Sequence, residues 1–163
     1  MTRGNTPPKS AGTYGFLDVL RHPSRILRPA TPAEGESDIE ALRRGESRRV
    51  SCFLRGTFGP YPRRLKQGSL ELSGLGATWR PFWSFRRTLL SIDIEVASVD
   101  TRPADHREPR VNKGGKAFGV VGIPTFVVVT CSTPSGSLDL VVPSADLPLV
   151  AGFFRGRSLG GSD

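Results

Sequence analysis

Thr125-Phe-Val-Val-Val-Thr-Cys-Ser-Thr-Pro-Ser-Gly-Ser-Leu-Asp-Leu-Val-Val142 holds two apolar runs joined by the turn-forming residues Thr133-Pro-Ser-Gly136. Runs of this length, rich in β-branched residues and bounded by Gly and Pro, read as strands. The unbroken Phe126–Val129 block predicts burial on both faces, and Ser137–Val142 returns as its antiparallel partner through the turn.

Working outward from this hairpin, the same period of two recurs upstream. Val50, Cys52 and Leu54 alternate with Ser51 and Phe53. Leu70 and Leu72 alternate with Ser69, Glu71 and Ser73. Leu90, Ile92, Ile94 and Val96 alternate with Ser91, Asp93 and Glu95. These are half-buried antiparallel strands. Gly74-Leu-Gly76 makes a tight connection into a strand at Ala77–Trp83, residues 101–116 read as a long polar loop, and Ala117–Val121 reads as another strand. Downstream, Ser144 or Asp146 is placed to cap a final helix with Leu147, Val150, Phe153 and Phe154 on one face, Pro148 in its first turn and Gly156 at its end. The expected fold is therefore mainly β: six or seven antiparallel strands forming a barrel or sandwich, closed by a C-terminal α-helix.

The first 46 residues differ in character. Thr2–Gly12 is polar and rich in Pro and Gly, the composition of a disordered tail. Phe16, Leu17, Val19, Leu20, Ile26 and Leu27 form an apolar patch beside Arg21, Arg25 and Arg28, broken by Pro23. Two readings stay open for it: a segment docked on its own domain, or a basic segment lying on an anionic membrane. Pro29–Glu36 reads as linker, and Ser37 with Glu40 resembles a capping box opening a helix over Asp38–Arg44. The expected organisation is a largely disordered extension over 1–46, one β domain over 47–155 and a loose tail over 156–163.

With 163 residues and 37% hydrophobic residues, the chain holds one core. Its formal charge of +8 is uneven. Residues 1–46 carry seven Lys/Arg against six Asp/Glu, residues 47–116 fourteen against six, and residues 117–163 two against three. Such concentration favours polyanionic partners, whether an anionic membrane surface, an acidic protein or nucleic acid. Cys52 and Cys131 stand far apart in strand-like runs and read as small buried hydrophobes. No stretch approaches the roughly 18 apolar residues that span a bilayer. The polar start is unlike a signal peptide, so the expected location is cytoplasmic, with peripheral attachment at the inner membrane surface as an option.

Catalytic and metal motifs find little support. His22 and His106, the two histidines, sit in irregular segments away from ligand-spaced Cys or carboxylates, which excludes a zinc pattern. Asp105, His106 and Glu108 in a polar loop read as solvated, leaving only a formal hydrolase alternative through His106 and Asp105. Gly114-Gly-Lys116 lacks the first glycine and the following Ser/Thr of a phosphate loop, and Gly119–Gly122 lacks dinucleotide-binding spacing. No enzyme activity and no cofactor is expected.

The remaining signal is a basic run interleaved with aromatics: Arg48, Arg49, Arg55, Arg63, Arg64, Lys66, Arg80, Arg86 and Arg87, with Phe58, Tyr61, Trp79, Phe82, Trp83 and Phe85 among them. Either the arginines form an anion-binding face beside aromatics able to stack on bases, or the aromatics are core and the arginines its outward counterparts.

The strand count, the closing helix and the segment Arg55-Gly-Thr-Phe-Gly-Pro-Tyr-Pro-Arg-Arg-Leu-Lys66 resemble the pleckstrin-homology-like (PH-like or GRAM) barrel over Ser47–Arg155. The spacing from Cys52-Phe-Leu-Arg through Thr78-Trp-Arg-Pro to Asp146–Phe154 is similar to bacterial proteins with a PH-like domain. The resemblance implies a non-enzymatic interaction module that docks on a protein or an anionic surface through the loop between its first two strands. It makes Arg55, Arg63, Arg64 and Lys66 the candidate ligand face, with Arg80 and Arg86 at a neighbouring strand end. The alternative from a different class is a small nucleic-acid-binding barrel, with Trp79, Trp83 or Tyr61 stacking on bases.

Overall fold

The computed structural model describes residues 32–82, 89–104 and 126–158. In chain order these form helix α1 (Pro32–Arg43), strands β1 (Arg48–Gly56), β2 (Lys66–Ser73), β3 (Gly76–Pro81), β4 (Leu90–Ile92), β5 (Ser98–Pro103), β6 (Phe126–Thr133) and β7 (Gly136–Pro143), a 3-10 turn at Ser144–Asp146, and helix α2 (Leu147–Arg155). The seven strands make one antiparallel sheet in the order β4-β3-β2-β1-β7-β6-β5. The mainly β architecture with a terminal helix stands as expected. Barrel closure does not: β4 and β5 are both edges. The chain leaves the sheet after Ile92, and an isolated parallel bridge joins Val96 to Ser158, just beyond α2.

Period two accounts for the layering. Val50, Cys52 and Leu54 point to the same side as Leu70 and Leu72 of β2, Trp79 of β3, and Leu138 and Leu140 of β7. All are buried there against Val150 and Phe154 of α2. Burying a large apolar side chain stabilises by about 1.5–3 kcal/mol, so this inner face and α2 are the main source of stability. The Phe126–Val129 block is buried on both faces as its composition predicts: Val129 faces this core, while Val128 joins Val141, Phe53, Phe126 and Leu65 in a second cluster on the other side.

Two hairpin turns are built alike. The Ser73 hydroxyl accepts from the Leu75 N–H and donates to the Gly76 carbonyl. Thr133 repeats this with Ser135 and Gly136. Gly76 at φ 152° and Gly136 at φ 146° occupy backbone that side chains disfavour. At Gly136 a Cβ would also fall 2.4 Å from Thr57 Oγ1.

Four expectations need correction. The strand expected over 90–96 ends at Ile92, and its apolar alternation continues outside the sheet, where Val96 is still buried. The polar loop expected from residue 101 begins instead as β5, an edge strand paired only with β6. It was hidden because an edge strand has little apolar alternation, and Pro103 at its end is tolerated only on such an edge. Helix α1 starts at Pro32, not Asp38, so residues 32–36 of the expected linker and the Ser37–Glu40 capping box lie inside the helix. Proline at the first helical position needs no N–H partner, Ile39 and Leu42 hold α1 against the core, and Ala41 is buried. Residues 156–158, expected as a loose start to the tail, are held by Gly156 to Gly152, Arg157 to Phe154 and Ser158 to Arg155 backbone bonds. Helix α2 has Pro148 in its first turn as expected, but no side-chain cap hydrogen bond, and its buried residues are Leu149, Val150, Ala151 and Phe154, with Leu147 and Phe153 only partly buried. The segments expected at Phe16–Leu27 and Ala117–Val121 lie outside the described residues.

Candidate anion-binding end

Gly56 ends β1 by turning tightly beneath Tyr61. A Cβ at residue 56 would stand 2.6 Å from the Tyr61 Cβ, so only glycine permits the approach. The Gly56 N–H donates to the Pro62 carbonyl at 2.9 Å, which closes the loop over residues 57–61. Thr57 ties the same loop to β7: its N–H donates to the Ser137 carbonyl and its hydroxyl accepts from the Ser137 N–H. Tyr61 is 6% exposed; its ring meets Phe58 edge to face at 5.3 Å and its hydroxyl donates to the Ser91 carbonyl at 3.4 Å. Burial, aided by the Asp93 charge, raises the Tyr61 pKa and keeps the phenol protonated. A tyrosine and a glycine thus fix the loop that carries the cations.

Arg63, Arg64 and Lys66 leave this loop exposed to solvent. The only hydrogen bond of their side chains among the described residues is a long one, from Arg63 Nη1 to the Gly56 carbonyl at 3.4 Å. No acid among the described residues pairs with any of the three. Lys66 opens β2 opposite Leu54. Arg80 is exposed on β3 opposite Ser69, on the sheet face away from the core. It adds charge to the same end from the other side of the sheet.

Arg55 is placed differently from the expectation. On β1 opposite Asp139 of β7, it donates to Asp139 Oδ2 from Nη2 at 2.5 Å and from Nε at 3.2 Å, while Thr130 donates to Oδ1 at 2.8 Å. A guanidinium committed to a half-buried carboxylate is a structural ion pair, so Arg55 does not stand with the free cations. Arg86, Arg87, Trp83 and Phe85 lie outside the described residues, as do His22, Asp105 and His106.

The aromatic question divides by residue. Trp79 is 1% exposed, and its indole fills the space above Gly68, where a Cβ would fall 2.5 Å from the ring. Its N–H is buried and makes no well-formed hydrogen bond among the described residues. Trp79 and Tyr61 are core residues and are not available for stacking on bases. Phe82 and Leu89, by contrast, are 47% and 51% exposed. The Phe82 N–H donates to the Gln67 carbonyl, next to Lys66, and Leu89 precedes Leu90, which pairs with Trp79. Sequence reasoning did not put either in the ligand set. The signal was parity: counting in twos from buried Trp79 turns position 82 outward.

Both cysteines are free and buried. Burial pushes the Cys52 thiol far up, opposed by Trp79, and burial with the Asp139 charge pushes Cys131 up to about 12. Neither is a nucleophile at neutral pH. Among the described residues no group of three or more His, Cys, Asp or Glu side chains is placed to hold a metal ion, and no helix is long and apolar enough to cross a membrane. Comparison with family models, with curated proteins and with solved structures gave no match.

Proposed function

We propose that this chain is a non-enzymatic binding module of PH-like type that docks on an anionic partner through the loop between β1 and β2. The observation that carries the reading is a trio of exposed cations, Arg63, Arg64 and Lys66, unanswered by any described acid, on a loop pinned by Tyr61. Cations held in place without counter-charges raise the local concentration of anions and lose little freedom on binding. The sheet of seven antiparallel strands followed by a helix supports the PH-like part of the reading. The nucleic-acid alternative is weakened because two of its three stacking residues, Trp79 and Tyr61, are buried.

The test is retention on a soluble polyanion, heparin, over a salt gradient, for the wild type and an Arg63→Glu/Arg64→Glu variant. Binding that weakens steeply with salt and is abolished in the variant supports the reading. Equal retention of the two proteins refutes it.

A further inference from the structure

We infer that two copies of this chain pair along β5, antiparallel and about a two-fold axis at Thr101, so that two seven-stranded sheets become one. Among the described residues β5 pairs with β6 alone, and it is an edge of six residues, Ser98–Pro103. An open edge of this length is a template for another strand. The opposite edge, β4, has three residues.

Hydrogen-bond parity decides which groups of β5 face outward. The Ala104 N–H donates to the Phe126 carbonyl at 3.0 Å, in step with the pairing of Pro103 with Val127. Alternation along an antiparallel ladder then turns the backbone groups of Ser98, Asp100 and Arg102 toward β6 and those of Val99, Thr101 and Pro103 away from it. The Ala97 N–H donates to the Ser132 carbonyl at 2.8 Å although Ser132 pairs with Ser98, so the chain bulges there. At the other end Pro103 has no N–H. Bulge and proline limit the usable edge to Val99–Pro103, whose centre is Thr101. In a pair centred there, each Thr101 N–H meets the other copy's Thr101 carbonyl. Each Val99 N–H meets the other copy's Pro103 carbonyl, the one backbone group that a proline still offers.

Charge fixes the register and the partner. Val99 packs against the core, so Asp100 and Arg102 project from the opposite face. Centring on Thr101 sets Asp100 opposite the partner's Arg102, and Arg102 opposite the partner's Asp100, in the closer class of cross-strand pair. A slide one way opposes the two Asp100 side chains, and a slide the other way opposes the two Arg102 side chains. Both neighbouring registers are repulsive. Arg102 already donates to the Pro103 carbonyl at 3.2 Å, but a guanidinium has several donors and a carbonyl a second lone pair, so the added bonds fit beside it. The strand is complementary to itself, and a two-fold pair uses up both β5 edges and stops at two.

Sedimentation equilibrium of the full chain over a wide concentration range tests this, with Asp100→Arg, the exchange Asp100→Arg/Arg102→Asp, and Thr101→Pro. The expected result is a reversible rise from the chain mass to twice that mass and no further. Asp100→Arg should raise the dissociation constant about tenfold or more, and the exchange should bring it back to within about threefold of wild type, since it restores opposite pairs in reversed order. Thr101→Pro should be a monomer with a urea midpoint near wild type, because the N–H it removes takes no part in the ladder with β6. If that variant fails to fold, the charge exchange decides. A wild type that stays at the chain mass at every concentration overturns the inference, and so does one that grows past the dimer. An exchange variant that associates no better than Asp100→Arg, or a folded Thr101→Pro that still dimerises, overturns it as well.

Discussion

The two ends of the sheet treat positive charge in opposite ways. Where α1 meets β1, two of the arginines are answered. Arg48 donates to Asp38 at 2.9 Å and to Glu46 at 3.1 Å, and Arg44 reaches Glu46 at 3.0 Å and Glu40 at 3.9 Å. Glu46 is exposed, and its hydrogen bonds from Arg44 and Arg48 hold its carboxyl below the usual range. At the other end Arg63, Arg64 and Lys66 are exposed and meet no described acid. Folding satisfies the first set. The second has no acid partner among the described residues, a difference that composition, which counts these side chains alike, does not show.

The comparison is broken most severely at Tyr61, whose buried ring seats the basic loop. Tyr61→Ala is expected to cost about 3 kcal/mol by analogy with other buried aromatics, and to lower heparin retention because the loop loses its anchor. Urea unfolding beside the retention assay checks both. A variant that is destabilised but retained like wild type would mean that the cations need no fixed loop.

Arg48→Ala attacks the other end. The Arg48 and Asp38 side chains are 11% and 12% exposed, so Asp38 would lose a close partner where water replaces it poorly. A destabilisation of about 2 kcal/mol is expected, below the range for fully buried pairs, with heparin retention unchanged. Reduced retention would show that the two ends are not separate.

Inside the sheet two thiols are buried. Cys52 lies opposite Gly68, and Cys131 lies opposite Leu138, which pairs with Gly56 where the basic loop begins. A thiol whose folded pKa lies above its unfolded value stabilises fully below about pH 9, and that stability is lost as pH rises toward the folded value. For Cys131 the window runs from its ordinary 9.0 to about 12. Each thiol should cost about 1.4 kcal/mol per pH unit in that range. Cys131→Ala should therefore flatten the fall in stability between pH 9 and 11 by about one such increment per unit, measured by denaturant unfolding at each pH. An unchanged slope would mean that Cys131 is open to solvent.

How much of this was legible depends on what each residue faces. The strands at Val50–Leu54, Leu70–Leu72 and Phe126–Val142 were readable because one face, or both, is buried and the apolar period survives. Edge strand β5 was not, since only Val99 and Arg102 are even half-buried there and its polar residues read as loop. Helix α1 was read too short because packing by Ile39, Ala41 and Leu42, and not propensity, carries it across Glu34-Gly-Glu36. At the site, Arg63, Arg64, Lys66 and Arg80 were legible as exposed cations. Arg55 was not separable from them, because its partner Asp139 is 84 residues away and meets it only through the pairing of β1 with β7.

The smallest expected effect draws the sharpest line between the ends. Arg63→Ala/Arg64→Ala removes two exposed side chains whose sole described bond is the 3.4 Å contact to the Gly56 carbonyl, too long to hold the loop. Stability should change by less than about 0.5 kcal/mol, the range of ordinary surface substitutions, while heparin retention falls substantially. Arg48→Ala should give the inverse pair of results. A loss above about 1 kcal/mol in the loop variant would mean that Gly56 and Tyr61 do not fix the loop alone, and that these arginines belong to the fold as Arg48 and Arg55 do. A neutral result with lost retention would leave the loop cations no structural role, and their charge would then be explained only by what they bind.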